Sequence, residues 1–415
     1  MLSAGWNRSG DFFGKGEEHL NRNVIILIIS MFFVASGYTM VIPFLPLYLT
    51  ELGVPEDMLT LWSGLVFSIC FLVAGIMGPI WGKMADNRGK KMMALRAAVL
   101  LGVSYVLCGL SQNEYQLLGA RAFQGFANGF VAAAMALIAD NGKSEKLGIT
   151  LGFAQTALVV GGIVGPLIGG FLSYLVGMKN TFFISGIILW IVSAATAVFI
   201  KDGKTAAKAD REQETSTIWE DLQFAFGNHR LKELLLISFF LQCTILMIQS
   251  VTTIYIGGFV EDKDNVELVA GMIMSCGGLA GALTTALWGK IGQARGYYLT
   301  MSITLLSAGV ITAAQSLPGS VYGVGICQFL VGCFIIGTNP SLNASLVQYT
   351  PAAFRGRIFG LSNMSQQFGN MCGPLMATAV ASFLDVRSVY VAAGIIQFLL
   401  GFRLFRNHIW KADKG

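Results

Sequence analysis

Gly82-Lys83-Met84-Ala85-Asp86-Asn87-Arg88-Gly89-Lys90-Lys91 separates two long apolar runs and returns later in the chain in partial form. Trp81-Gly82-Lys83 with Arg88-Gly89 recurs as Trp288-Gly289-Lys290 with Arg295-Gly296, 207 residues on, which is half of the 415-residue chain. Gly125 matches Gly332 at the same offset. After one extra residue Gly148, Gly152, Gly161, Gly165 and Pro166 match Gly356, Gly360, Gly369, Gly373 and Pro374. One offset shared by so many fixed points describes two copies of one unit, of which the second has partly lost its charged turn.

With 54% hydrophobic and 12% charged residues, the chain has too little polar surface to clothe a soluble globule of its size. Its mean hydropathy of +0.64 reads as a polytopic membrane protein. Cys70, Cys108, Cys243, Cys276, Cys327, Cys333 and Cys372 all fall in apolar runs without CxxC spacing, so they read as small packed hydrophobes, not a disulfide framework. His19, His229 and His408 lie scattered in polar flanks. Nothing resembles a metal site or a nucleophile–base pair, so no catalytic residue, cofactor, metal or nucleic-acid partner is expected. The first apolar run, from about Val24 to Leu49, is longer than a signal-peptide core and lacks a cleavage pattern, so it reads as a spanning helix.

A spanning helix takes about 20 apolar residues. That rule predicts helices over 24–49, 59–84, 92–111, 115–139, 149–175 and 180–200, then 231–257, 267–291, 297–316, 319–346, 356–383 and 388–407. The expected fold is an all-α membrane protein of twelve helices in two pseudo-symmetric six-helix bundles, 24–200 and 231–407. A cytoplasmic segment 1–23, a linker 201–230 and a tail 408–415 flank them. Ile218, Leu222 and Phe226 in the linker have helical spacing, which fits a helix along the membrane surface or simply an ordered linker. Bends are expected at Pro43, Gly165-Pro166, Pro340 and Gly373-Pro374. With the amino terminus inside, only Lys179, Lys263 and Arg387 fall outside and Arg121 lies within a helix. The positive-inside rule therefore puts both termini in the cytoplasm.

Three constellations carry functional content. In the opening stretch, Gly82 and Gly89 permit a tight turn, Asp86 offers an acceptor, and Arg88, Lys90 and Lys91 hold the turn inside. In the fourth helix, Arg121 shares a face with Gln124 and Asn128. A buried arginine costs about 2.5–3.5 kcal/mol at mid-membrane, so it either pairs or faces water, or else snorkels outward. Asp140 lies at the inner end of that helix. In the fifth helix, Gly152, Gly161, Gly165, Pro166, Gly169 and Gly170 line a face against which another helix packs closely, with a bend at the Gly-Pro step.

Gly-x-x-x-Asp-x-x-Gly-basic-basic between the second and third of twelve helices resembles the signature of the major facilitator superfamily. The matching residues are Gly82, Asp86, Gly89, Lys90 and Lys91, and the departures are Met84, Asn87 and Lys90 itself. Arg121-Ala122-Phe123-Gln124-Gly125 is similar to the Arg-x-x-Gln-Gly motif of that family's fourth helix, and the fifth-helix glycines to its antiporter motif. The resemblance to the twelve-helix drug–proton antiporters implies a cytoplasmic latch of Gly82, Asp86, Arg88, Gly89, Lys90, Lys91 and Asp140. It also implies proton-coupling candidates Arg121, Asp86 and Asp140. A substrate site at mid-membrane is then to be sought among Tyr38, Gln124, Asn128, Gln155, Gln242, Gln249, Asn339, Asn343, Gln366, Gln367 and Asn370, some of which serve only to join helices. No Asp or Glu lies deep in a helix, since Asp86, Asp140 and Glu233 are near inner ends. That leans the expected substrate toward neutral, zwitterionic or anionic compounds.

The expectation is a monomeric exporter in the bacterial cytoplasmic membrane, with lipid, protons and a small amphipathic molecule as its partners. A dedicated exporter of one metabolite, such as a siderophore, sugar or amino-acid derivative, shares every motif named. A transporter-like sensor is disfavoured by the intact signature motifs.

Overall fold

Lipid offers no hydrogen bonds to a peptide group, so a chain this apolar must satisfy its backbone internally, and helices do this segment by segment. The computed structural model describes residues 22–141, 147–200, 218–262, 265–351 and 354–412, whose regular structure is entirely helical. In order these are α1 (Arg22–Val41), which passes through a 3-10 turn at Ile42–Phe44 into α2 (Leu45–Glu51), then α3 (Glu56–Arg88) and α4 (Lys90–Leu110). α5 (Glu114–Ala127), α6 (Phe130–Asn141), α7 (Leu147–Val176) and α8 (Met178–Phe199) complete the first half. The linker carries α9 (Ile218–Gly227). The second half holds α10 (His229–Gly257), α11 (Val266–Arg295), α12 (Tyr297–Ala314), α13 (Val321–Ile335), α14 (Thr338–Tyr349), α15 (Arg355–Phe383) and α16 (Val386–Ala412). Ten stretches among the described residues are long and apolar enough to cross a membrane. The interrupted pair α5–α6 and the polar α15 bring the number to the twelve expected.

The stretch that opened the sequence reading is mostly helix, not loop. α3 continues through Gly82 to Arg88, and Gly89 alone stands between α3 and α4 with φ 96° and ψ 140°. Gly296 repeats that conformation, at φ 94° and ψ 142°, between α11 and α12. Residues with a Cβ rarely adopt such a backbone, so one glycine makes each turn. Nothing before Gly89 breaks the helix, and Arg88 in the last turn favours it through the helix dipole. The side chains of Asp86 and Asp140 lie outside the described residues, as do residues 1–21 and 201–217.

The fourth and tenth spans, expected to be continuous, are each interrupted. The first break falls at Asn128-Gly129, where the Asn128 Oδ1 accepts a bond from the Gly129 N–H at 2.7 Å and Gly129 has φ 125°. A side chain that bonds local backbone competes with the helix. Pro166 and Pro374, by contrast, sit inside continuous helices.

The sequence repeat is also a repeat of contacts. Tyr48 Oη donates to the Cys108 carbonyl and Tyr255 Oη to the Gln315 carbonyl, both at 3.0 Å. Trp81 Nε1 donates to the Phe126 carbonyl at 2.9 Å and Trp288 Nε1 to the Cys333 carbonyl at 2.6 Å. A Cβ at Gly125 would run into the Cys70 carbonyl oxygen, and one at Gly332 into that of Gly277. Every partner is displaced by the same 207 residues. Helix pairing follows suit: α1 packs on α7, α3 on α5 and α4 on α8, mirrored by α10 on α15, α11 on α13 and α12 on α16.

The halves meet along two seams, α3 with α15 and α7 with α11. Hydrogen bonds cross between them from Ser68 Oγ to the Met371 carbonyl at 2.6 Å and from Thr378 Oγ1 to the Thr60 carbonyl at 2.8 Å. Ser275 Oγ donates to the Ile163 carbonyl at 2.6 Å, and Thr253 Oγ1 to that of Pro43. These contacts gather in the half of the bundle that carries the turns at 52–55, 177 and 384–385. The Gly89 and Gly296 turns are at the opposite end.

Candidate functional site

Glycine lets two helix backbones touch, and in a membrane such contact replaces the hydrophobic drive that lipid does not provide. The glycines of α7 divide between two partners. A Cβ at Gly161 would come within 2.6 Å of the Phe32 carbonyl oxygen, one at Gly165 within 2.8 Å of that of Ser36, and one at Gly169 would run into that of Met40, so these three face α1. Gly170 faces α11 across the seam: its Cβ would run into the Glu267 carbonyl oxygen and lie 3.2 Å from Leu268 Cα. Gly271 of α11 returns the contact, its Cβ position blocked by the Pro166 carbonyl. Gly152 belongs to neither, because a Cβ there would meet nothing within 4 Å. One sequence motif thus serves an internal helix contact and the contact between halves.

The second cluster is built on α5. Arg121 is 1% exposed and does not snorkel. Its Nε donates to the Val66 carbonyl of α3 at 3.3 Å and its Nη1 to Gln124 Oε1. Cys70, Cys108, Tyr38 and Tyr105 are near enough to act on it electrostatically. Tyr38, on α1, stands edge-on to Phe71 with ring centroids 6.4 Å apart. Arg121 Nη2 and Tyr38 Oη are buried without a hydrogen-bond partner, and Gln124 Nε2 makes no well-formed bond although the Tyr105 hydroxyl lies beside its amide. Among the described residues no carboxylate pairs with Arg121.

The other sequence candidates are more dispersed. Asn128 sits in the α5–α6 break and bonds its own neighbour. Gln366 Nε2 donates to Ser362 Oγ at 3.4 Å, and Asn370 Nδ2 to Gln367 Oε1 at 3.1 Å, leaving Asn370 Oδ1 buried and unpaired. Gln242, Gln249 and Asn339 are half-buried, whereas Gln155 and Asn343 are exposed. The structure brings Tyr38, Arg121 and Gln124 together, and Gln367 with Asn370. Among the described residues no hydrogen bond ties Gln155, Gln242, Gln249, Asn339 or Asn343 to another candidate.

Sequence reading missed Arg96, which charge counting assigns to the cytoplasmic side. It lies within α4, half-buried, with its guanidinium 3.6 Å from the Trp81 ring centroid. Its Nη2 donates to the Asn128 carbonyl at 2.8 Å and to the Ala127 carbonyl at 3.4 Å. Trp81 takes the Phe126 carbonyl, so the two side chains together satisfy the end of α5 that the break exposes. The available signal was an arginine inside an apolar run facing a tryptophan that belongs to the repeat. Trp81→Phe keeps an aromatic ring, though a smaller one, and removes the indole N–H, leaving the Phe126 carbonyl without this donor. It is expected to cost about 1–3 kcal/mol in thermal unfolding of the purified protein. Trp288→Phe should cost less, because Thr284 Oγ1 also donates to the Cys333 carbonyl at 2.9 Å, and an equally small loss in Trp81→Phe would show that water or another donor takes over there.

The profile described as Major Facilitator Superfamily matches residues 27–337 and 266–410. The chain is 32% identical over 396 residues to a protein named Multi-drug resistance efflux pump PmrA homolog from Lactococcus lactis subsp. lactis (strain IL1403), covering 94% of this chain and 96% of that protein. It is 33% identical over 388 residues to Multidrug resistance protein MdtG of Proteus mirabilis (strain HI4320), covering 91% and 94%. Among solved structures, the nucleoside transporter NupG superposes with a TM-score of 0.77 at 14% identity, covering 93% of this chain and 99% of that one. A bacterial homolog of the human lysosomal transporter Spinster, in an inward-facing and occupied conformation, gives 0.74 at 14% identity, covering 92% and 95%. At such identity the structural likeness concerns the fold alone.

Proposed function

The chain belongs to the major facilitator superfamily, and we propose that within it this protein exports drugs or other small amphipathic compounds in exchange for protons. It is a multi-pass membrane transporter, and its family consists of transporters, not enzymes. The observation that carries the export reading is the α7 seam. The glycine motif that resembles that of antiporters contributes Gly170 to the contact between the halves, against α11, whose Gly271 meets the Pro166 carbonyl. A carrier that rocks two bundles about a central site needs such an interface, firm in one state and parted in the other. The names of the relatives from Lactococcus and Proteus point the same way.

With the charged Gly89 turn in the cytoplasm, as the positive-inside rule asks, both termini are cytoplasmic and the closed end is the outer one. On this reading the protein works as a monomer that loads from the cytoplasm. Substrate contacts fall to polar side chains between the halves, such as Gln242, Gln249, Gln366 and Asn370, and proton coupling to Arg121, Asp86 and Asp140. Uptake of several unrelated fluorescent dyes into everted vesicles, abolished by a protonophore, is the expected result. No dye uptake by inserted, folded protein would overturn the multidrug reading in favour of a single native metabolite.

A further inference from the structure

We propose that a small inorganic anion, chloride under physiological conditions, binds inside the first half against Arg121, Gln124 and Tyr38. The need is electrostatic. A guanidinium that is 1% exposed keeps its charge, and an isolated buried charge is paid for heavily unless it is matched. Its two hydrogen-bond acceptors, the Val66 carbonyl and Gln124 Oε1, are both neutral. They satisfy geometry without cancelling charge.

The unpaired atoms say what kind of group is missing from the account. Arg121 Nη2 and Gln124 Nε2 can only donate, and Tyr38 Oη can donate as well. A set of donors around an unmatched cation selects an acceptor with negative charge. Water accepts hydrogen bonds but leaves the charge uncancelled. A drug carboxylate would supply charge, but Gln124 is 2% exposed and Arg121 less, which suits an ion of atomic size better than a drug. The inference rests on this cluster and is independent of which substrate the protein exports.

The test uses the purified full chain in detergent, with chloride exchanged for gluconate at constant ionic strength and thermal unfolding as the readout. A saturable rise of the midpoint with chloride, reproduced by bromide, is expected. Tyr38→Phe, which preserves the ring and removes one donor, should raise the half-saturating chloride concentration roughly tenfold or more. Arg121→Gln should abolish the dependence, and if it fails to fold, Tyr38→Phe decides alone. Identical midpoints in chloride and gluconate would overturn the proposal in favour of water in the cluster. A chloride effect unchanged by both Tyr38→Phe and Gln124→Leu would overturn it in favour of binding elsewhere. Because no transport is measured, a failed dye assay leaves this result intact, and the reverse also holds.

Discussion

Everted vesicles carrying Gly170→Val are expected to accumulate no more dye than vesicles lacking the protein, although the variant inserts and purifies. The first atom of any side chain at that position would run into the Glu267 carbonyl oxygen, 3.1 Å from its carbonyl carbon and 3.2 Å from Leu268 Cα. All three are backbone atoms of α11, which no rotamer change can move aside. Relief requires α7 and α11 to separate, and that separation is the opening of the seam. Overpacking of this kind costs roughly 1–3 kcal/mol, so the closed form loses about one to two orders of magnitude in population. On the proposed orientation this end is the outer one, and a carrier that cannot close it cannot reset. Gly152→Val is the matched control, because the same motif has open space there, and it should transport close to the wild-type rate. Equal loss in both would mean that the motif acts through helix propensity alone, and equal activity in both would remove the seam from the mechanism.

Arg121→Ala is expected to reduce protonophore-sensitive uptake to background as well, for a different reason. Truncation leaves Gln124 Oε1 without its donor, whereas the Val66 carbonyl, inside α3, keeps its helix bond. A buried acceptor left unpaired costs about 1–3 kcal/mol. Truncation also removes a buried charge that acts electrostatically on Tyr38 of α1, Cys70 of α3, and Tyr105 and Cys108 of α4. Arg121→Lys should restore little, because an ammonium has no planar fork with which to hold a carbonyl and an amide at once. The measurement is initial uptake rate per folded protein, with and without protonophore. Full activity in Arg121→Lys would show that charge alone suffices at this position, and full activity in Arg121→Ala would exclude the cluster from coupling.

The spans were legible because hydrocarbon imposes one rule over the whole length of each. The repeat was legible because glycines that touch backbone tolerate no substitute: Gly125 and Gly332 keep their offset since each faces a carbonyl 55 residues earlier in the chain, Cys70 or Gly277. The breaks at Asn128-Gly129 and near Gly337 were not, since hydropathy is blind to a change of backbone direction inside an apolar run. Arg96 escaped for a related reason. Counting charges places a residue on a side of the membrane, but its role depends on Trp81 and on carbonyls 126–128, which only the packing of α3, α4 and α5 brings within reach. Burial of Arg121 could be suspected from sequence, and so could the absence, among the described residues, of a carboxylate paired with it, since no Asp or Glu lies deep in a helix.

The four hydrogen bonds described above between the halves, among the described residues, share one chemistry: a Ser or Thr hydroxyl donates to a main-chain carbonyl. A helical carbonyl has a second lone pair and keeps its own helix bond when such a hydroxyl leaves. The departing hydroxyl can turn to a carbonyl three or four residues back, as Thr252 and Thr39 already do. Parting the seam therefore strands no polar group in the membrane. Fastened by ion pairs, the same seam would have to expose bare charges at every cycle; fastened this way it behaves as a reversible adhesive, whose release rate is governed by how closely the glycine backbones are allowed to lie.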